Sequence, residues 1–293
     1  MSDITLDNLT FGKYHGLGND YIIINDITWQ IPEEKKSLLA QKLCQFHFSV
    51  GADGLIYVCN SEKADIRMRI FNDDGSEAEM CGNGIRCFSK YAYENDLVRK
   101  QRINIETLKG IMIAELNIKN EKVEKVKINM GPPILDCEDV PVISIKNERE
   151  CINEPIQILD KEFYFTAVSM GNPHAVIFVD EQLTDEELNK YGALIEPHNR
   201  FPKKINVEFV KIVSDTEAQL RVFERGVGIT NSCGTGTCAA VVAGTIQGIF
   251  KKNTPIAAHN DGGDLSIIFD GETVFMEGPV ELAFKGEIEK ITI

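Results

Sequence analysis

The chain has 293 residues, 43% of them apolar and 26% charged, an ordinary globular balance that allows one large domain or two of common size. A formal net charge of -14 repels phosphate backbones, which excludes nucleic acid as an expected partner but leaves room for a small anion in a locally positive pocket. The opening MSDITLDNLT has no apolar core, and the longest apolar stretch, Cys238 to Phe250, is broken by Thr245, Gln247 and Gly248, so neither export nor a membrane span is expected and a cytoplasmic location is.

In chain order, short runs rich in Ile and Val predict strands at Ile22 to Asn25, Ile66 to Phe71, Ile103 to Thr107, Ile111 to Ile118 and Val123 to Met130. They continue at Val176 to Val179, Val207 to Val213, Gln219 to Phe223, Leu265 to Phe269 and Val274 to Met276. Helices are fewer. Pro32 to Phe46 has a helical pattern with one charged face, and Thr184 to Tyr191 begins with the capped start Thr184-Asp185-Glu186-Glu187. Two more helices, Gly84 to Asn95 and Gly236 to Phe250, follow glycine-rich cysteine motifs. The second is apolar nearly all round and is expected to be buried.

The chain repeats itself. Arg69-Ile70-Phe71-Asn72 leads to Cys81-Gly82-Asn83-Gly84, and Arg221-Val222-Phe223-Glu224 leads to Cys233-Gly234-Thr235-Gly236, at a constant offset of 152. Gly18-Asn19-Asp20-Tyr21 and Gly171-Asn172-Pro173-His174 each precede an apolar strand, and Met130-Gly131-Pro132 echoes Met276-Glu277-Gly278-Pro279. A period this long is a domain, not a solenoid turn. The expected boundaries are 1–133 and 134–279. The predicted class is α/β (α+β), with two pseudo-symmetric domains, each a curved sheet wrapped round a central helix.

The eight cysteines suit neither a secreted disulfide framework nor zinc, because no C-x-x-C pair and no His at ligand spacing occurs. Cys87 and Cys238 lie on the buried helices and read as core. Cys81 and Cys233 sit at glycine-rich helix starts, where unpaired N–H groups and the dipole favour an anion and stabilise a thiolate. The competing reading for both is a pair of structural cysteines. If two such domains face each other, two sulfurs flank one α-carbon, and one thiolate can remove its proton while the opposite thiol delivers another. No motif announces pyridoxal, so the helix ends would stabilise the developing enediolate. Asn72 and Glu224 are repeat-equivalent, as are Asn19 and Asn172. His174 and Glu224 could polarise Cys233, and Arg225 could hold a second carboxylate by its two-pronged geometry. Turn capping competes as a reading for Asn19, Asn72, Asn172 and Asn206, and a surface ion pair for Glu224 with Arg225.

At these residues the chain resembles the diaminopimelate epimerases over nearly its whole length. The blocks are His15-Gly16-Leu17-Gly18-Asn19-Asp20-Tyr21, Phe71 to Glu77 with Met80 to Gly84, Gly171 to His174, Asn206-Val207-Glu208-Phe209-Val210, and Glu224-Arg225-Gly226 with Cys233 to Gly236. The resemblance implies two domains of strands round a central helix, mostly antiparallel and barrel-like, with residues 280–293 returning to the first. It implies cofactor-independent interconversion of LL- and meso-2,6-diaminoheptanedioate in lysine biosynthesis, no metal, and a homodimer acting on a small amino acid. By motif, Cys81 and Cys233 would be the acid–base pair, supported by His174 and Glu224. Gly82, Asn83, Gly234 and Thr235 would hold the reacting carboxylate, and Asn19, Asn72, Asn172, Asn206, Glu224 and Arg225 would line the pocket. Many members carry Gln where this chain has Gly54, and Ile229 to Ser232 departs from the commonest version. A racemase of the same fold acting on another amino acid, such as histidine, is the nearest alternative. The proline racemase branch usually has His at the place of Asn83, and the phenazine-related isomerases lack the cysteine pair.

Overall fold

A computed structural model describes residues 3–293. Two compact units divide the chain: residues up to Ile128 with Gly278–Ile293 form one, and Asn129–Glu277 the other. The division falls a few residues before each expected boundary, because a strand runs across it in both places. The irregular stretch Leu135 to Asp139 marks the loop after the first of those strands rather than the division itself.

The first unit opens with β1 (Thr5–Gly16) and β2 (Asn19–Asn25), joined at Leu17 and Gly18, whose φ values of 58° and 85° give a tight two-residue turn that glycine makes easy. The short α1 (Asp26–Trp29) and α2 (Glu33–Cys44) follow, then β3 (Gly54–Cys59), β4 (Ile66–Asn72) and the two-residue β5 (Glu77–Ala78). Next come α3 (Gly82–Glu94), β6 (Arg102–Thr107), β7 (Gly110–Lys119) and β8 (Lys122–Gly131). The second unit runs β9 (Glu154–Ile158), β10 (Lys161–Ser169), β11 (Pro173–Val179), α4 (Asp185–Ile195), β12 (Asn206–Ser214), β13 (Glu217–Glu224) and β14 (Gly228–Thr230). It continues with α5 (Gly234–Ile246), β15 (Ile256–Asn260), β16 (Gly263–Phe269) and β17 (Val274–Pro279); the C-terminal β18 (Glu281–Thr292) lies in the first unit.

The two sheets have one topology. In the first, the order is β18-β1-β2-β3-β4-β6-β7-β8, parallel at β2–β3 and β4–β6 and antiparallel elsewhere. In the second it is β9-β10-β11-β12-β13-β15-β16-β17, parallel at β11–β12 and β13–β15 and antiparallel elsewhere. The C-terminal β18 takes the edge that β9 occupies in the other unit.

The sheets are curved for a simple reason. Helix α3 packs on β1 and also on β7, which stand five strand spacings apart, and α5 packs on β10 and β16, again five apart. A flat sheet would put those strands about 24 Å from each other, while a helix with its side chains is about 10–12 Å across. Only a sheet wrapped round the helix allows both contacts. On the outer face of each sheet lies a second helix. In the first unit a core of Leu9, Phe11, Ile22, Ile24, Leu39, Leu43, Leu55 and Phe71 joins α2 to the strands. In the second, Phe163, Phe165, Ile177, Leu188, Ile195, Phe209 and Phe223 do the same for α4, whose Thr184–Glu187 capping box forms as expected. Alternating strand residues thus serve both helices, which is why the buried strands read as near-continuous apolar runs.

Both central helices begin two residues earlier than the sequence pattern placed them. The glycines that looked like a preceding loop form the first turn, and each cysteine is the N-cap residue. Helix α5 is buried almost throughout, as its composition predicts. Helix α3 is buried almost as fully despite Arg86 and Lys90. Arg86, with no exposed surface, bonds to the Gly82 carbonyl and Asn83 Oδ1, and Lys90 donates to the Val123 carbonyl and Glu94. Satisfied in this way, buried cations are tolerated. Among the described residues no helix is long and apolar enough to cross a membrane.

Candidate active site

At the start of α3, Cys81 is extended (φ -137°, ψ 127°) and its sulfur accepts from the Gly84 N–H at 3.5 Å. The first intrahelical bond runs from the Ile85 N–H to the Cys81 carbonyl, so the N–H groups of 82–84 have no helical carbonyl to meet, and that of Gly84 is capped by the sulfur. Around the sulfur stand neutral polar groups. Tyr21 Oη lies 2.9 Å from Cys81 Sγ and 2.6 Å from Asn19 Oδ1. Asn19 Oδ1 also accepts from Asn83 Nδ2 at 3.2 Å, and Asn19 Nδ2 donates to Asp53 at 2.6 Å. Buried Asn83 is fixed in turn by Arg86. Asn72 is exposed at the end of β4 and bonds to the Ser76 hydroxyl across the turn.

At the start of α5, Cys233 has the same backbone (φ -117°, ψ 108°), and the Thr237 N–H closes the first helical bond on its carbonyl. Thr235 Oγ1 lies 3.4 Å from its sulfur. The surroundings are charged. His174 Nδ1 meets Glu208 Oε1 at 2.7 Å, with both side chains fully buried, and His174 Nε2 lies 3.1 Å from Asn172 Oδ1. Ligating atoms of His174, Glu208 and Cys233 all fall within 4.8 Å of one another. Burial pushes the Cys233 thiol well above the usual range, and the negative charges of Glu224 and Glu208 add to the effect. This sulfur therefore holds its proton at neutral pH.

Glu208 stands in one of the sequence blocks with no role assigned from sequence, and the fold brings it to the Cys233 site. Its carboxylate, 2.7 Å from Nδ1, holds the His174 ring in place. It fits against α5 only because residue 236 is glycine, since an added methyl there would run into Glu208 Oε1. The available signal was the placement of an acid between apolar residues of a buried strand. Tyr21, the last residue of the His15–Tyr21 block, likewise has no role assigned from sequence. The trio His174, Glu208 and Cys233 also supplies nitrogen, oxygen and sulfur donors suited to a zinc-like ion. Local spacing gave no hint of that set, because the fold gathers it from three separate elements.

The remaining candidates are spread around the α5 start. Glu224, at the end of β13, accepts from Thr230 Oγ1 at 2.6 Å, which ties it to the segment leading into Cys233. Asn206 spends its side chain internally, donating to the Pro173 carbonyl at 2.8 Å and accepting from the Arg225 N–H at 2.9 Å. It braces the ends of two strands and the turn that presents Arg225. The Arg225 side chain is exposed and touches the Lys203 carbonyl.

A family model for diaminopimelate epimerase matches residues 11–135 and 166–283. The diaminopimelate epimerase of Bacillus cytotoxicus is 46% identical over 285 residues, covering 97% of this chain and 98% of its own, and that of Bacillus mycoides is 45% identical over the same span. Among solved structures, a hydroxyproline epimerase from Agrobacterium vitis superposes with a TM-score of 0.68 at 15% identity, covering 97% of this chain and 92% of that one. A phenazine biosynthesis PhzF-family protein from Bacillus anthracis gives a TM-score of 0.68 at 17% identity, covering 98% and 99%. Those two structures share the two-unit α+β fold with this chain, and the matching sequences share more than the fold. The chain belongs to the diaminopimelate epimerase family.

Proposed function

We propose that the chain epimerises LL-2,6-diaminoheptanedioate to the meso form for lysine biosynthesis, using Cys81 and Cys233 as acid and base and no cofactor. The observation that carries the reading is the twofold occurrence of one device, a cysteine N-cap on a buried helix with free first-turn donors, in a chain whose relatives at 45–46% identity are named for this activity. The N–H groups of Gly82, Asn83, Gly234 and Thr235 are the donors for the reacting carboxylate, which becomes an enediolate when the α-proton leaves. In the forward direction Cys81 removes the α-proton as its thiolate, and Cys233, which holds its proton in the free protein, delivers that proton to the opposite face of the enediolate carbon; the roles exchange for the reverse reaction.

His174, oriented by Glu208, stands beside Cys233 to stabilise its thiolate after the proton has gone. Glu224 supports the same sulfur. Asn19 and Asn72 in the first unit and Asn172 and Asn206 in the second are assigned to substrate binding, and Arg225 to the distal carboxylate. Location in the cytoplasm and assembly as a homodimer complete the proposal.

Incubation with LL-diaminopimelate in deuterated water tests it. α-Deuterium should enter the product, and histidine or proline should give none. Wash-in with histidine at a comparable rate would replace the substrate assignment by the racemase alternative. No wash-in with any amino acid would overturn the enzyme reading.

A further inference from the structure

We propose that Tyr21 is a positioning residue for Cys81, whose hydroxyl follows the sulfur's proton by accepting from the thiol and donating to the thiolate. The inference rests on the acid–base reading of Cys81 given above.

A tyrosine hydroxyl has one hydrogen. Here the oxygen lies 2.6 Å from Asn19 Oδ1, which can only accept, and 2.9 Å from Cys81 Sγ. With Cys81 protonated, the hydroxyl hydrogen goes to Asn19, and the thiol donates to the hydroxyl oxygen. Once Cys81 loses its proton, its sulfur can only accept, and rotation of the same O–H turns the hydrogen onto it. Asn19 Oδ1 is not stranded by that rotation, because Asn83 Nδ2 still donates to it at 3.2 Å. Both states of the sulfur are satisfied with no heavy atom moving and no proton leaving the phenol. That economy suits a group that must change charge in every turnover, since a charge-assisted bond appears only when the thiolate does.

Three further observations fit this role. Tyr21 is buried, and burial first and the Cys81 sulfur second push its own ionisation well above the usual range, so it keeps its proton and does not compete as a base. Its oxygen is anchored through Asn19 to Asp53, which also holds the Asp20 N–H, so the hydroxyl is fixed at the β2 end. And Tyr21 pairs across the sheet with Gly54, where an added Cβ would stand 3.3 Å from two ring carbons and 2.7 Å from the Phe71 carbonyl. With no side chain at position 54, the Tyr21 ring lies against the bare backbone.

The other titratable or charged groups that act on Tyr21 or on Cys87, the helix neighbour of Cys81, are Asp53, Asp20 and Arg86. All stay in place when Tyr21 is changed to Phe. The test follows iodoacetamide labelling of Cys81 against pH in the full-length protein, read residue by residue by peptide mass spectrometry. In Tyr21→Phe the midpoint of the Cys81 profile should move up by about one pH unit, the size of a lost hydrogen bond to a charged group. The profile of Cys233 should not move. kcat should fall about tenfold with KM changed less than about twofold, because Tyr21 acts through the sulfur. Installing 3-fluorotyrosine at position 21, which keeps the ring and strengthens the donor, should move the Cys81 midpoint down, a result that no loss of folding can imitate. An unmoved midpoint in both proteins would overturn the proposal. A raised midpoint with undiminished turnover would keep the hydrogen bond and overturn instead the catalytic reading of Cys81.

Discussion

The starts of α3 and α5 share backbone, cysteine N-cap and flanking glycines, yet they hold their sulfurs in different chemical settings. Cys81 is partly exposed, and its partners are a hydroxyl, an amide and a backbone N–H. The glycine two residues into its helix, Gly84, faces the methyl ends of Ile70 and Ile56. Cys233 is buried beside a histidine and two carboxylates, and the matching Gly236 faces Glu208. The repeat therefore reproduces the scaffold but not the electrostatics. Side chains from neighbouring strands, Tyr21 and Asn19 in one unit and His174 and Glu208 in the other, decide how each thiol handles its proton. On the proposed two-base reading one sulfur must start with its proton, and burial with two nearby carboxylates gives Cys233 that part.

The comparison breaks most sharply at the sulfurs themselves. Cys81→Ser and Cys233→Ser should each lose about a thousandfold in epimerisation, the scale of a removed acid or base, while circular dichroism stays native. Near-normal turnover in either would mean that the two starts are not partners.

A smaller effect is expected at Glu208. Its charge raises the Cys233 thiol, after burial and Glu224, so Glu208→Gln should move the labelling midpoint of Cys233 down by about one pH unit, with the thiolate appearing at lower pH. Turnover should fall about tenfold or more as His174 loses its charged partner. A midpoint that rises would show that His174 orientation outweighs the carboxylate charge. Arg225→Ala sharpens the second unit's role in specificity. It should weaken diaminopimelate far more than a monocarboxylate analogue, by about tenfold to a hundredfold in kcat/KM, and equal losses would remove Arg225 from the distal site.

The smallest contrast is between the two glycines. Gly236→Ala forces Glu208 away and should cost about 1–3 kcal/mol in urea unfolding. Gly84→Ala meets side-chain methyls at 3.1–3.3 Å and gains about 1 kcal/mol of helix propensity, so it should be close to neutral. Equal costs would show that the second start is no more tightly built than the first.

Several parts of the fold were legible for identifiable reasons. Strands such as Ile66–Asn72 and Arg102–Thr107 are short apolar alternations, and the all-apolar α5 announced its own burial. Strands β1 and β18 are hidden in the sequence because their polar and glycine residues mask the period: Thr5–Gly16 and Glu281–Thr292 pair along nearly their whole length, and backbone hydrogen bonds, which leave no side-chain signature, hold them. The helix starts were placed two residues late because glycine reads as loop unless the cap geometry is known.

What the sequence determined by itself was the repeat, the cysteine–glycine helix starts and the family, because each is carried by residue identities in order along the chain. Tertiary structure alone decided which groups surround each sulfur. Tyr21 lies sixty residues from Cys81, and His174, Glu208 and Cys233 come from a strand, its parallel neighbour and a helix start. Proton affinity depends on charge and burial within a few ångströms, and those distances are set by the curvature of a sheet round its helix, a property that no local stretch of sequence contains.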